Sequence, residues 1–389
     1  MAGGSKKEKA VEGSDPTAKL TDDILVEVIS RVPYKSTCCC KCVSTRWRDL
    51  FSHPDHRKKL PQSLAGFFYE GYNRNRSPKT ARYFTNVSGE GDPFVDPSLA
   101  FLPNYKSLEI LDCCNGLLLC RCWKETDPKT LDYVVCNPAT EKWVVVPPTN
   151  WSSEVEVTRL GFDPSVSSHF HVFEFIDEDV WGTEEDKLND CSGRIEMVSV
   201  YSSKAGVWMH HRTADHNLFA IPRHSKSVFF NRILHLAAFD DMVVTLDVKG
   251  SLLWIIGTPA SSCNDSSIND IFLSNGQLHF AASADSVCLS VWVLEDYERG
   301  KWTLKHNISH SQLFGVMYSE HDYNVISFHP ERNMIFIVCG HENTLMSYEM
   351  DCRKLYFISQ LGRDGQIKCG KTPYIPYVPL FSESLADGP

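Results

Sequence analysis

Cys38, Cys39, Cys40 and Cys42 form the densest group of metal-ligating side chains in the sequence. Structural zinc sites draw on paired ligands such as C-x2-C, with a second pair further along. Consecutive cysteines at helical spacing point in three directions and cannot converge on one ion. They read as small buried hydrophobes, as do Cys120, Cys122 and Cys136 in strand-like stretches. His169 and His171 alternate, so in a strand they share one face. The sequence sets no third ligand beside them, and strand packing accounts for the pair. There is no Gly-rich phosphate cradle, no G-x-S-x-G elbow and no H-E-x-x-H helix. No metal and no cofactor is expected, although catalytic carboxylates dispersed over a fold would leave no such motif.

Two further groups are suited to recognition. The acid-rich stretch IDEDVWGTEEDKLND, from Ile176 to Asp190, holds Trp181 at its centre. It lacks the alternating acidic ladder and central glycine of a calcium loop. It reads as a solvated loop or, alternatively, as a grip for a basic segment. His210, His211, Arg212, His216, Arg223 and His224 make a modest basic patch, either a plain surface loop or a reader of phosphate or an acidic tail. Trp181, His211, Arg212 and Arg223 are the residues expected to touch a bound macromolecule.

The formal net charge of −10 argues against a nucleic-acid binder, which would show a basic stripe. No apolar run approaches the roughly 18 residues of a membrane span, and the polar start MAGGSKKEKAVEGSDPTAK has no apolar core of a secretory signal. No membrane association is expected, and the chain reads as cytoplasmic or nuclear. Fifteen cysteines in such a compartment are free thiols rather than a disulfide framework.

Two kinds of element must hold these residues. Near the start, Thr21 is a plausible N-cap, and Asp22 and Asp23 suit the positive end of a helix. Ile24, Leu25, Val28, Ile29 and Val32 follow on a wide apolar face, and Pro33 ends the helix. Ser36 or Thr37 can cap a second helix carrying Cys39, Cys40, Val43, Trp47 and Leu50, stopped by Pro54. Helices this short bury too little area to be stable alone. They either cap the following domain or dock on a partner.

The order Leu20, Asp22, Ile24-Leu25, Glu27, Ile29, Arg31-Val32-Pro33, Lys35-Ser36, Val43-Ser44, Trp47-Arg48, Leu50, Pro54 resembles the plant F-box pattern, with Thr21 where a proline is usual. The resemblance implies binding to a Skp-type adaptor and through it to a cullin. It places the adaptor contacts at Leu20, Ile24, Leu25, Val28, Ile29, Val32, Pro33, Val43, Trp47 and Leu50. Trp47 would be the anchor.

From residue 64 onward, short strands rich in Val, Ile, Phe, Tyr and Trp alternate with polar turns. A polar turn before an aromatic recurs as CNPATEKW, YSSKAGVW, LDVKGSLLW, LEDYERGKW and YEMDCRKLY, ending at Trp143, Trp208, Trp254, Trp302 and Tyr356. Strands such as NGLLLC, NRILHLAAF and NGQLHFAAS interleave with them. A base period of about 45–50 residues with four strands per unit predicts a β-propeller, with an open stack of β-sandwiches as the alternative architecture. Leu64 to Asn86 and the tail TPYIPYVPLF would supply one more blade and its closing strand, for six or seven blades. The five aromatics are expected to fill the wedges between blades. The region resembles the kelch-like domains associated with plant F-boxes, although the kelch double glycine is absent.

The expected organisation is a disordered tail over 1–18, an F-box helical module over 19–60 and a kelch-like propeller over 61–389. The expected role is a non-catalytic substrate receptor of an SCF-type (Skp–cullin–F-box) ubiquitin ligase. The alternative is a propeller enzyme, a kelch-type oxidase or glycoside hydrolase with a helical cap.

Overall fold

The computed structural model describes residues 19–30, 44–52, 64–126, 130–177, 193–213, 219–259, 269–284, 288–314, 323–340, 343–362, 374–380 and 385. The chain divides into two compact units, Met1–Pro61 and Gln62–Pro389. The tail over 1–18, the cysteine cluster at 38–42, Val32, Pro33, Val43, Trp181 and His216 lie outside the described residues.

In the first unit, helix α1 (Asp22–Ser30) begins where the sequence signals it. The Leu25 amide donates to the Thr21 carbonyl at 3.0 Å, which closes the first turn. Asp22 and Asp23 sit in that turn against the positive end of the helix dipole. Helix α2 (Thr45–Ser52) corrects the expectation of one long second helix reaching back to Ser36. Ser44 lies outside it and caps it, its Oγ accepting from the Trp47 amide at 3.2 Å. Leu25, Val26, Ile29 and Leu50 form a small buried core, with Trp47 packed against its edge.

The second unit is built from six antiparallel sheets. The first joins β1 (Gly66–Tyr72), β2 (Thr80–Asn86) and the last strand, β23 (Ile375–Tyr377), in the order β2-β1-β23. Then come β3 (Ser107–Cys114), β4 (Leu117–Trp123), β5 (Leu131–Asn137) and β6 (Lys142–Val146). The third sheet holds β7 (Val157–Phe162), β8 (Phe170–Asp177), β9 (Ile195–Ser202) and β10 (Val207–Arg212). The fourth holds β11 (Ser227–Phe230), β12 (Ile233–Ala238), β13 (Met242–Asp247) and β14 (Leu252–Gly257). The fifth holds β15 (Asn269–Ser274), β16 (Gln277–Ala284), β17 (Cys288–Asp296) and β18 (Lys301–Ser309). The sixth holds β19 (Tyr323–Phe328), β20 (Met334–Cys339), β21 (Thr344–Glu349) and β22 (Lys354–Gln360). The leading strands β3, β7, β11, β15 and β19 neighbour one another in turn, and β23 stands between β19 and β3. That closed circuit makes a six-bladed propeller.

The turns explain the repeats. Asn115-Gly116 and Asn275-Gly276 all have positive φ, the paired left-handed conformation of a two-residue hairpin that suits the strand twist. Gly116 is doubly constrained: a Cβ there would lie 2.7 Å from the Val378 carbonyl oxygen. The polar turns before β6, β10, β14, β18 and β22 likewise carry a left-handed residue, at Glu141, Gly206, Gly250, Gly300 and Arg353.

Burial follows position in the blade. Every residue of β5 and of β7 is buried, whereas most of β10 is exposed. Cys120, Cys122 and Cys136 sit buried in β4 and β5, as apolar filler. The outermost position also corrects the expectation for the repeat aromatics. Trp143 is 39% exposed and Tyr356 45% exposed, because an edge strand has a neighbour on one side only. Trp208 and Trp302 do bridge blades, but through their indole N–H groups. These donate to the Pro147 carbonyl at 2.7 Å and the Gly257 carbonyl at 2.8 Å, each just at or beyond the end of the preceding outer strand. At Trp254 a register shift between Thr245 and Leu246 breaks the pattern, and its ring meets Tyr297 of the following blade at 6.2 Å.

The first and last strands close the ring. Gly66, Phe67 and Phe68 pair with Tyr377, Pro376 and Ile375. Tyr377 packs edge-on against Phe68 and Phe84 at 5.6 and 6.2 Å. Asn137, itself buried, donates through Nδ2 to the Leu380 carbonyl at 2.7 Å.

Candidate docking site

The residues expected to meet a partner on the helical unit divide into two sets. Leu25, Ile29 and Leu50 point inward and make the unit's own core, together with Val26, which the sequence pattern did not single out. Leu20, Ile24 and Val28 point outward, with Ile24 at 50% and Val28 at 52% exposure. Ile24 and Val28 stand one turn apart on α1, about 6 Å along its axis at 1.5 Å per residue, and Leu20 lies in the chain that enters the helix. A surface stripe of this kind gains nothing from water. Each side chain would gain about 1 kcal/mol from being covered, half the value of burying a whole Leu, Val or Ile. Trp47 is half-buried and packs against the core's edge.

Arg46 locks the geometry of this face. Its guanidinium donates to Asp22 Oδ1 from Nε at 3.0 Å and from Nη2 at 2.7 Å, and Nη2 also reaches the Leu20 carbonyl at 2.6 Å. One side chain of α2 thus fixes both the first turn of α1 and the chain entering it. The apolar stripe is presented on a prearranged rather than a fraying helix end.

On the propeller, the expected basic patch does not form one surface. His211 and Arg212 are exposed neighbours on β10, and strand alternation turns them to opposite faces. Arg223 is paired with Glu156, so its charge is committed within the propeller. His210 Nδ1 bonds Ser199 Oγ at 2.7 Å and its ring stands edge-on to Trp151. His171 belongs to β8, where burial together with Arg232 holds its pKa down to about 4. Neutral and half-buried, it is a packing residue.

The densest charge in the ring was not legible in the sequence. Asp112 Oδ2 accepts from the Leu160 amide at 2.8 Å and from Ser227 Oγ at 3.0 Å. Arg159 donates to the carbonyls of Ser225 at 2.8 Å and Arg223 at 3.1 Å. Asp270 accepts from the Lys226 amide at 3.0 Å, and the Lys226 ammonium lies 3.7 Å from its other oxygen and 3.4 Å from the Val325 carbonyl. Burial raises both carboxyl pKa values and lowers those of Arg159 and Lys226. Two carboxylates balance two cations, and the bonds run across β3, β7, β11, β15 and β19. The network pins five leading strands together. Glu174 plays a similar part between a loop and its blade: it accepts from Ser152 Oγ and, at 2.8 Å, from Thr149 Oγ1. Among the described residues, no group of three or more His, Cys, Asp or Glu is placed to hold a metal, and no helix is long and apolar enough to cross a membrane.

Comparison with known proteins agrees with this division of the chain. Residues 18–59 match the F-box domain, and residues 97–369 match the family described as F-box protein At3g26010-like, beta-propeller. F-box protein At5g07610 of Arabidopsis thaliana is 25% identical over 307 residues, covering 74% of this chain and 70% of that protein. The putative F-box/kelch-repeat protein At1g15680 of the same plant is 22% identical over 382 residues, covering 87% of this chain and 83% of its own. F-box protein At1g30790 is 20% identical over 307 residues, 72% of this chain and 73% of that one. With an F-box at its head and a six-bladed ring behind it, the chain belongs to the At3g26010-like family of plant F-box proteins.

Proposed function

We propose that this protein is the substrate receptor of an SCF-type ubiquitin ligase. Its helical unit docks a Skp-type adaptor, and through it a cullin, while the propeller holds a target protein. The observation that carries this reading is the outward stripe of Leu20, Ile24 and Val28 on a unit whose own core is already filled. A surface with Ile24 and Val28 on one helix face, an exposed Leu20 before it and a half-buried Trp47 suits a protein partner, with the tryptophan as the anchor. Leu25, Ile29 and Leu50 act by holding the helices in place. Val32, Pro33 and Val43 complete the contact by the family pattern.

The mechanism is proximity. Holding a target lysine near a charged conjugating enzyme raises its effective concentration, so this chain needs no bond chemistry of its own. The action takes place in the cytoplasm or nucleus. His211 and Arg212 are kept as separate, exposed candidates for target contact. Co-purification with a Skp-type adaptor tests the reading. Ile24→Asp and Val28→Asp should abolish it without altering the melting of the propeller, and adaptor binding retained by both variants refutes it.

A further inference from the structure

The outermost strands of the propeller are not alike. Each sheet ends in a strand whose outer side pairs with no other among the described residues: β2, β6, β10, β14, β18 and β22. Unpaired edges invite other strands, and proteins guard them with charge, above all lysine. Four of the six follow that rule with exposed charges, Lys142, Arg212, Lys301 with Lys305, and Lys354, and the charge of the fifth, Arg82 on β2, is turned to the Pro97 and Leu108 carbonyls. β14 alone has none. Its sequence is LLWIIG, with no charged residue, and Leu253, Trp254 and Ile255 are exposed in succession. β22 also exposes Tyr356 and Phe357, but beside Lys354.

The strand is also held ready. Trp254 is tied inward, its amide donating to Thr245 Oγ1 at 2.9 Å and its carbonyl accepting from the same hydroxyl at 3.0 Å. Backbone groups alternate sides along a strand, so those of Ile255 face the open edge. At the far end, Trp302 fixes the Gly257 carbonyl. The edge is therefore rigid, apolar and uncharged.

We propose that β14 accepts an extended, uncharged segment of a target protein as a fifth strand of its blade. The inference rests on the receptor reading and names the class of target segment. Main-chain hydrogen bonds would supply the affinity, and side chains alternating over Leu253 and Ile255 the preference for apolar residues. A second copy of the chain is the poorer occupant. A six-residue strand is about 20 Å long and a sheet about 10 Å thick. In an edge-to-edge dimer that strip would be the whole contact, on the order of 200 Å² per copy against roughly 800 Å² per partner in a stable interface, whereas a segment of a target held by the rest of the ring need only add to a larger contact.

The probe is a capped, dye-labelled seven-residue peptide of alternating valine and threonine, with a copy N-methylated at alternate backbone amides. Titrated with the full chain, the first should give a saturable rise in anisotropy and the second should bind about tenfold more weakly or worse. Leu253→Lys and Ile255→Lys should each weaken binding about tenfold, and Phe357→Lys on β22 should leave it unchanged. Gly257→Lys guards against misfolding of the first two, because a Cβ at Gly257 meets nothing within 4 Å; it too should weaken binding. Absence of saturable binding, equal binding of the two peptides, or binding that survives all three edge lysines overturns the proposal. So does a wild-type chain that sediments as a dimer and becomes monomeric with Ile255→Lys, which would assign the edge to a second copy. Adaptor co-purification, read in parallel, depends on Ile24 and Val28, so its loss with peptide binding intact strikes the receptor reading alone.

Discussion

Replacing Ile24 and Val28 together by alanine separates contact from core on a single helix. Both side chains are about half exposed, so their truncation removes little from the unit's own packing. A surface change of this kind typically shifts stability by no more than about 0.5 kcal/mol. If an adaptor covers the exposed halves, the double variant forfeits about 2 kcal/mol of burial, which corresponds to roughly a 30-fold weaker Kd. Leu25→Ala is the counterpart. Leu25 is buried within the helical core, and its truncation should destabilise the unit by about 2–5 kcal/mol. Titration calorimetry against a Skp-type adaptor reads the first effect. Hydrogen exchange of the α1 amides in the full chain reads the second. The double alanine variant should keep wild-type protection and lose affinity, while Leu25→Ala loses protection first. Affinity within about twofold of wild type for the double variant would refute the assignment of the outward stripe to the adaptor.

Four further outcomes follow from the propeller. Glu174→Gln keeps a side chain able to bond Thr149 and Ser152 and removes a buried charge. Burial raises the Glu174 pKa, so the native state holds the proton to higher pH than the unfolded chain, and the stability this group contributes is fullest in acid and is lost as pH rises through the folded value. Denaturant unfolding should show the variant gaining on wild type from the ordinary carboxylate range upward, with the gap closing in acid; a gap independent of pH contradicts this. Trp208→Phe, which loses the indole bond to Pro147, should cost about 1 kcal/mol by chemical denaturation. Trp143→Ala, on an exposed edge, should cost less than the 3–5 kcal/mol of a buried tryptophan. Deletion of residues 374–380 removes β23 and should replace the cooperative melt of the ring by a broad transition; an unchanged sharp melt would show that closure does not need it.

The ring was legible because its repeats are written in local chemistry. Left-handed turn residues precede the outer strand of every four-stranded sheet, and the aromatic two residues after Gly206 or Gly300 marks where that strand begins. The same signal misled on burial, since sequence does not say that the strand bearing the aromatic is the outermost of its blade. On α1, hydrophobicity alone could not divide Ile24 and Val28 from Leu25 and Ile29; the division depends on where Leu50 of α2 packs. Asp112, Arg159, Lys226 and Asp270 carried no signal at all. They stand far apart in the chain and converge only because five leading strands meet.

Pairing of Phe68 with Ile375 also orders events in time. On a translating ribosome the helices and the first five complete sheets emerge while the ring is still an open arc, and only the arrival of Tyr377 beside Phe84 seals it. A nascent or proteolysed product cut short before Ile375 would retain α1 yet lack a closed ring. On the receptor role proposed above, such fragments would occupy a ligase scaffold unproductively, and the last strand would then report that the ring is finished.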